Sequence, residues 1–313
     1  MSNIGPILLA LLQAVVLLAL APFFTGMSRQ IRARMHSRRG PGVLQDYRDL
    51  VKLLKRQSVA PEASGFVFRG MPYLMLGVMF VLAMALPVFT RQSPLSPVAD
   101  IITFAYLFAL SRFFFSLSGV DSGSSFAGLG GAREAMLGIL VEPFMILSLL
   151  VVALVEGTTS IGALGSGIGN GYGQCPLAIL LAMVAFGFAM FIEMGKLPFD
   201  VAEAEQELQE GPLTEYSGSS LAILKLGIGL KKLVVAQFFI GVFLPFGAIG
   251  ANPGVMDVVI AVIALPVRLA VLFALAGLIE NSMARTRYIM TSKVTWVGFG
   301  VAALSFVFYL AGL

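Results

Sequence analysis

Glu193, Asp200, Glu203, Glu205, Glu207, Glu210 and Glu215 crowd into the segment Phe191–Tyr216, seven of the 17 carboxylates in a 313-residue chain. Pro198 suits a first helical turn and Gly211-Pro212 stops one. The spacing predicts a helix in which Asp200, Glu203, Glu207 and Glu210 share a face and Glu205 points the other way. Like charges packed this closely repel, so some are expected to hold protons or to meet basic partners. Proton transfer is the chemistry such a cluster offers; a plain solvated acidic loop is the competing reading.

Further charges lie in apolar surroundings. Arg133, Glu134 and Glu142 fall in or near one apolar stretch, and Glu193 closes the next. Lys225, Lys231, Lys232, Arg268, Glu280 and Arg112 lie in others. An ionisable group inside a bilayer costs several kcal/mol unless paired, hydrated or neutralised, which makes each a functional candidate. On one helix Glu134 and Glu142 stand roughly 12 Å apart along the axis and about 80° apart around it. They are expected to be steps on one path rather than a pair in contact. Lys225, Glu280 and Arg112 are expected to pair between helices or to snorkel at span ends. Glu134, Glu142 and Glu193, near the acidic cluster, are expected to handle protons.

The elements that must position these groups are membrane helices. Hydrophobic residues make up 58% of the chain and charged residues 12%, with a mean hydropathy of +0.91. That composition belongs to an integral membrane protein, and the 34 glycines suit close helix packing. The fold class expected is all-α, with about eight transmembrane helices: 4–27, 71–90, 101–117, 134–155, 176–196, 220–247, 257–281 and 292–312. The first has no preceding positive charge and no evident cleavage site, so it reads as a retained helix rather than a signal peptide.

The segment Arg29–Arg69 holds ten of the 21 Lys and Arg residues. The positive-inside rule places it in the cytoplasm and both termini in the periplasm. One membrane domain, 1–313, then carries cytoplasmic loops at 28–70, 118–133, 197–219 and 282–291, so the acidic stretch and Arg285 share a side with the basic loop. Residues 43–56 alternate apolar and charged at helical spacing and predict an amphipathic helix on the membrane surface or under a partner. The run Gly162–Gly173 lacks the Lys-Ser/Thr ending of a phosphate loop and reads as a flexible outer loop. The net charge of +4 sits mainly at membrane boundaries and does not indicate nucleic acid. There is one cysteine, Cys175, and one histidine, His36. An iron–sulfur cluster, a nickel–iron centre, structural zinc or a bis-histidine haem needs more ligands than that. No such cofactor is expected in this chain, and any electrons must travel in partners.

Arg38-Arg-Gly-Pro-Gly42, Glu193 with Pro198-Phe-Asp200, Glu203-Ala-Glu-Gln-Glu-Leu208, Glu215-Tyr-Ser-Gly218 and Ala284-Arg-Thr-Arg-Tyr288 come in that order along the chain. In order and spacing they resemble the first membrane subunit of respiratory complex I, at the heel beside the peripheral arm. The wording of Ser28–Pro41 and Phe191–Gly218 is similar to the hydrogenase branch, the formate hydrogenlyase and hydrogenase 4 membrane subunits. Where the quinone-reducing branch has Gly-Glu-Tyr, this chain has Gly227-Ile-Gly229, which speaks against a quinone chamber of the complex I kind.

The resemblance implies a multi-pass protein of the bacterial inner membrane. It would anchor a soluble hydrogenase arm, with its large and small subunits and iron–sulfur proteins, and sit beside antiporter-like membrane subunits. Nickel–iron and iron–sulfur centres would belong to those partners. Arg38, Arg39, Arg285 and Arg287, with the acidic loop, would dock the arm. A redox or docking change there would alter the protonation of Asp200, Glu203, Glu205, Glu207 and Glu210, passing to Glu193, Glu142 and Glu134; Glu215 belongs to the same acidic set. The competing readings are a structural anchor without proton passage, a quinone-site subunit of a complex I-like dehydrogenase, and a standalone transporter.

Overall fold

The computed structural model describes residues 4–169, 171, 175–250, 255–284 and 288–313. Among them there are eleven α-helices and no strands. In order these are α1 (Ile4–Met35), α2 (Gln45–Leu54), α3 (Phe66–Ala85), α4 (Ile101–Asp121), α5 (Ser125–Glu156) and α6 (Ile161–Gly169). They continue with α7 (Pro176–Glu193), α8 (Glu205–Leu208), α9 (Gly218–Phe243), α10 (Val255–Ser282) and α11 (Tyr288–Leu310). Eight are long and apolar enough to cross a membrane: α1, α3, α4, α5, α7, α9, α10 and α11. A helix satisfies its own backbone groups, which hydrocarbon cannot do, so apolar segments of this length fold this way in a bilayer. The chain is an all-α multi-pass membrane protein, and α2 is the expected amphipathic helix.

α9 is the central helix, with α1, α2, α3, α6, α7 and α10 against it. Its aromatic residues make the middle of the core. Phe238 meets Phe104 at 4.6 Å and Phe186 at 5.1 Å between ring centroids. Two buried amides close the end of α3, where a helix leaves carbonyls unpaired. Gln13 donates to the carbonyls of Met84 at 2.9 Å and Leu86 at 2.8 Å. Gln237 donates to that of Pro87 at 2.8 Å. At the other end of α3, Asp121 accepts from the Phe68 amide at 2.9 Å. There Tyr216 stacks on the Phe68 ring and donates to its carbonyl at 2.8 Å. Burial pushes the Tyr216 phenol up to about 12.

Three expectations are corrected. The spans depart from their hydropathic limits: α1 continues to Met35 and α5 begins at Ser125 instead of 134, while α3 ends at Ala85 and α9 at Phe243, short of 90 and 247. Helical hydrogen bonding does not end where hydrophobicity does, and the glycines at 130 and 131 pack against neighbouring backbone rather than break the helix. The expected loop 118–133 thus shrinks to residues 122–124. Next, the run expected as a flexible outer loop contains α6. Gly165 brings α6 onto the Gly241 carbonyl of α9, and a Cβ there would overlap that oxygen.

Finally, the acidic stretch is not one helix. It runs as turns through residues 197–203, the single-turn α8, left-handed Gln209 and Glu210, and a 3-10 turn at Gly211–Glu215. A continuous helix would stack four carboxylates on one face. The folded loop instead buries Val201, Ala202, Ala204, Leu208 and Leu213 and turns its acids to separate partners.

Candidate functional site

Three of the acids predicted within the spans, Glu134, Glu142 and Glu193, converge on one arginine. Arg112 projects from α4 into the space between α5 and α7. Its guanidinium pairs with Glu142 through Nη1 and with Glu193 through Nη2. Its Nε lies 3.6 Å from Glu134. Lys231 of α9 reaches the same acids, at 3.0 Å from Glu193 and 3.5 Å from Glu134. Three carboxylates and two bases from four helices thus form one cluster. Glu193 is its buried centre, with 2% of its side chain exposed, and Glu142 its open edge, with 26%. Arg112 was expected to pair between helices or snorkel at a span end. It pairs, but it lies mid-helix and buried and does not snorkel. With 11 residues of α4 before it and nine after, it stands away from either helix end and meets the acids of neighbouring helices instead. Glu134 and Glu142 do not touch each other; each reaches Arg112.

The local sequence makes room for this. Glu134, Gly138 and Glu142 recur every fourth residue on α5, hence on one face. Gly138 is the notch between the two acids in which Arg112 lies. A Cβ at Gly138 would overlap Cδ of Arg112 and stand 2.5 Å from its Nη1. Gly138→Ala is expected to unseat the guanidinium and release Glu142 or Glu134 from it. A carbodiimide, which labels protonated carboxyls, followed by peptide mass mapping checks this. Labelling of these acids at neutral pH should rise several-fold over the parent chain, and equal labelling would count against the notch.

The cluster opens toward the acidic loop through two adjoining cavities. The inner one, of 50 Å³, is lined by Arg112, Glu134, Glu193 and Lys231 together with Asp200 and Glu203. The outer one, of 380 Å³, lies under α2 between α1, α9 and α10. Gly195, Asp200, Glu203, Ile228 and Lys232 line both, so they form the neck. In the outer wall Lys196 pairs with Glu280 at 3.0 Å, both buried. Burial pushes the Lys196 ammonium down, and Glu280 opposes that shift. Ile228, the residue that departs from the quinone-branch motif, stands in the neck. Next to it, Gly227 lets α9 approach α3, since a Cβ there would lie 2.9 Å from Met75.

The remaining predicted acids are distributed around this line. Asp200 and Glu203 are in the neck. Glu210 lines the outer cavity and lies 3.7 Å from Lys225. Glu207 pairs with Arg133 at 2.7 Å, tying the acidic loop to α5. Glu215 lies in the 3-10 turn beside Tyr216, away from the five-residue cluster. Glu205 opens α8, and its side chain lies outside the described residues, as do Arg285 and Arg287. Arg38 and Arg39 are exposed beyond the end of α1. Gly138 and Lys196 enter only through the structure, as do the partners of Lys231 and Glu280. The one sequence signal for Arg112 and Lys231 is a base deep within an apolar span, which obliges an acid nearby.

With this geometry in view, the relatives of the chain are informative. A sequence profile of the NADH dehydrogenase family matches residues 7–311. The chain is 55% identical to hydrogenase-4 component C of Escherichia coli K12, over 98% of this chain and 97% of that one. It is 54% identical to formate hydrogenlyase subunit 4 of the same organism, over 97% and 99%. NADH-quinone oxidoreductase subunit 8 of Rhodothermus marinus is 28% identical over 76% and 74%. In fold the chain is similar to one from an archaeal membrane-bound sulfane sulfur reductase, with a TM-score of 0.85, 22% identity and coverage of 98% and 100%. The chain belongs to the NADH dehydrogenase family, and hydrogenase-4 component C and formate hydrogenlyase subunit 4 are its homologues.

Proposed function

We propose that this chain is the membrane anchor and proton-coupling subunit of a membrane-bound nickel–iron hydrogenase complex of the formate hydrogenlyase type. The observation that carries the reading is the buried cluster of Glu134, Glu142, Glu193, Arg112 and Lys231, joined by two cavities to Asp200 and Glu203 of the acidic loop. Carboxylates sharing cations in low dielectric respond strongly to any charge that enters nearby. A change at the acidic loop alters the field in the neck, and the acids of the cluster answer by taking up or releasing a proton. Glu142, at the open edge, is where the proton leaves for an antiporter-like neighbour.

The soluble arm docks on the basic turn at Arg38 and Arg39, the acidic loop, and the late loop carrying Arg285 and Arg287. These segments share the cytoplasmic side, and both termini are periplasmic. Nickel–iron and iron–sulfur centres reside in the arm. The donor set of this chain, one buried cysteine and one exposed histidine, does not fit them. A second reading, a quinone-site subunit, is favoured by the size of the outer cavity and its apolar residues Leu50, Leu53, Leu226 and Phe273. Purifying the tagged protein in mild detergent, with metal analysis and a hydrogen-evolution assay, separates the two. Nickel, iron and hydrogen evolution in the eluate are expected. Quinone reduction with bound quinone and no nickel would favour the second reading.

A further inference from the structure

The charges of α2 are segregated. Its two acids, Asp46 and Asp49, line the outer cavity together with Leu50 and Leu53. Asp46 is buried, accepts from Thr25 at 2.6 Å and pairs with Arg29, which ties α2 to α1. Arg48, Lys52 and, just past the helix end, Lys55 and Arg56 are exposed. Among the described residues none of these four bases has an acidic partner.

The exposed side is itself divided. At about 100° per residue, Leu54, Tyr47, Val51 and Leu44 form one arc, and Lys55, Arg48 and Lys52 form the arc beside it. Leu44, Val51 and Leu54 are 57%, 52% and 56% exposed. Tyr47 fixes which way the apolar arc looks. Its hydroxyl donates to the carbonyl of Ala19, an exposed residue on the first membrane span. Ala19 continues the exposed face of α1 that carries Leu8, Leu12 and Val15. In a multi-pass protein that face meets lipid, so the apolar arc of α2 lies on the bilayer side, with the basic arc at the level of the headgroups.

We propose that α2 is an interfacial anchor whose Arg48, Lys52 and Lys55 bind anionic phospholipid of the adjacent leaflet, while Leu44, Val51 and Leu54 enter the acyl boundary. Helices with an apolar flank and a basic flank take this position, and each base near an anionic surface adds to the attraction. The anchor holds one wall of the outer cavity in place, but the proposal rests only on membrane placement and the geometry of α2.

The test uses the full chain in detergent micelles with equimolar phosphatidylglycerol and phosphatidylcholine, the retained lipid being counted by native mass spectrometry. The parent chain is expected to retain phosphatidylglycerol preferentially. Arg48→Gln/Lys52→Gln/Lys55→Gln should lower that preference by up to about fivefold per base, and Arg91→Gln in another loop should leave it unchanged. Equal retention by the triple variant would overturn the proposal. Spin labels at Val51→Cys and Lys52→Cys in phosphatidylglycerol nanodiscs provide a second readout independent of lipid counting. Oxygen should relax the label at 51 more than a water-soluble nickel chelate does, and the chelate should prevail at 52. A label at 51 open to the chelate, and shielded only when the soluble partner proteins are added, would assign this face to a protein and sink the lipid reading.

Discussion

Arg112→Ala is expected to be the most damaging single substitution in the membrane interior. It leaves Glu134, Glu142 and Glu193 with Lys231 alone, and Lys231 reaches only two of them. Removing one partner of a buried ion pair typically costs about 3–5 kcal/mol, because the remaining charge is stranded. Here three acids share the loss. The expected result is a protein that unfolds at markedly lower temperature in detergent and fails to support complex formation. Arg112→Lys should recover part of the stability, since one ammonium cannot reproduce the two-pronged guanidinium contact. Removing the stranded charge should also help: Arg112→Ala with Glu142→Gln is expected to be more stable than Arg112→Ala alone. Thermal unfolding of the three variants checks the order, and a double variant no better than the single one would count against shared charge compensation.

Gly130→Val is expected to have a comparably large effect by a different route. On α5, Gly130 is the seat of the acidic loop. A Cβ there would stand 2.7 Å from Pro212, 2.8 Å from the Ala202 carbonyl and 2.9 Å from the Gly211 Cα. Two of these are backbone atoms, so the loop must move rather than a side chain turn. Gly211 is itself left-handed, and its own Cβ position is filled by the Ala202 carbonyl, so the loop has no slack on that side. The branched residue should displace Asp200 and Glu203 from the neck while the spans stay inserted. In a pull-down, the soluble partners should fall at least severalfold with membrane levels of the chain near normal. Undiminished recovery of those partners would mean that the seat does not govern docking.

How much of this could be read in advance follows from what kind of information each feature holds. The spans are written in composition, because about 20 apolar residues can do little else in a bilayer. The amphipathic α2 is written in periodicity. Glu134, Glu142 and Glu193 stand out as charges in apolar surroundings. Which spans lie side by side is a tertiary fact, and the compensation by Arg112 and Lys231 depends on it. The acidic loop misled because spacing alone places Asp200, Glu203, Glu207 and Glu210 on one helical face. Burial of Val201, Ala202 and Leu208, with separate cations for Glu207 and Glu210, outweighs local helical preference there. Glycine misled in the opposite direction. In Gly162–Gly173 it reads as flexibility, yet between packed helices it is the residue that permits contact, as Gly165 does against Gly241.

In the proposed function the buried cluster carries protons rather than merely holding helices together. Glu142→Gln tests it most directly. Glutamine keeps the size and can still accept a bond from Arg112, but it cannot take up or release a proton. It also leaves two carboxylates facing two bases, so assembly should survive. The measurement is proton movement across vesicles holding the purified complex, set against hydrogen evolution by the same sample. The expected result is an assembled complex whose hydrogen evolution no longer drives proton movement. Proton movement equal to that of the parent complex, with assembly intact, would contradict it and leave the cluster as a structural clasp.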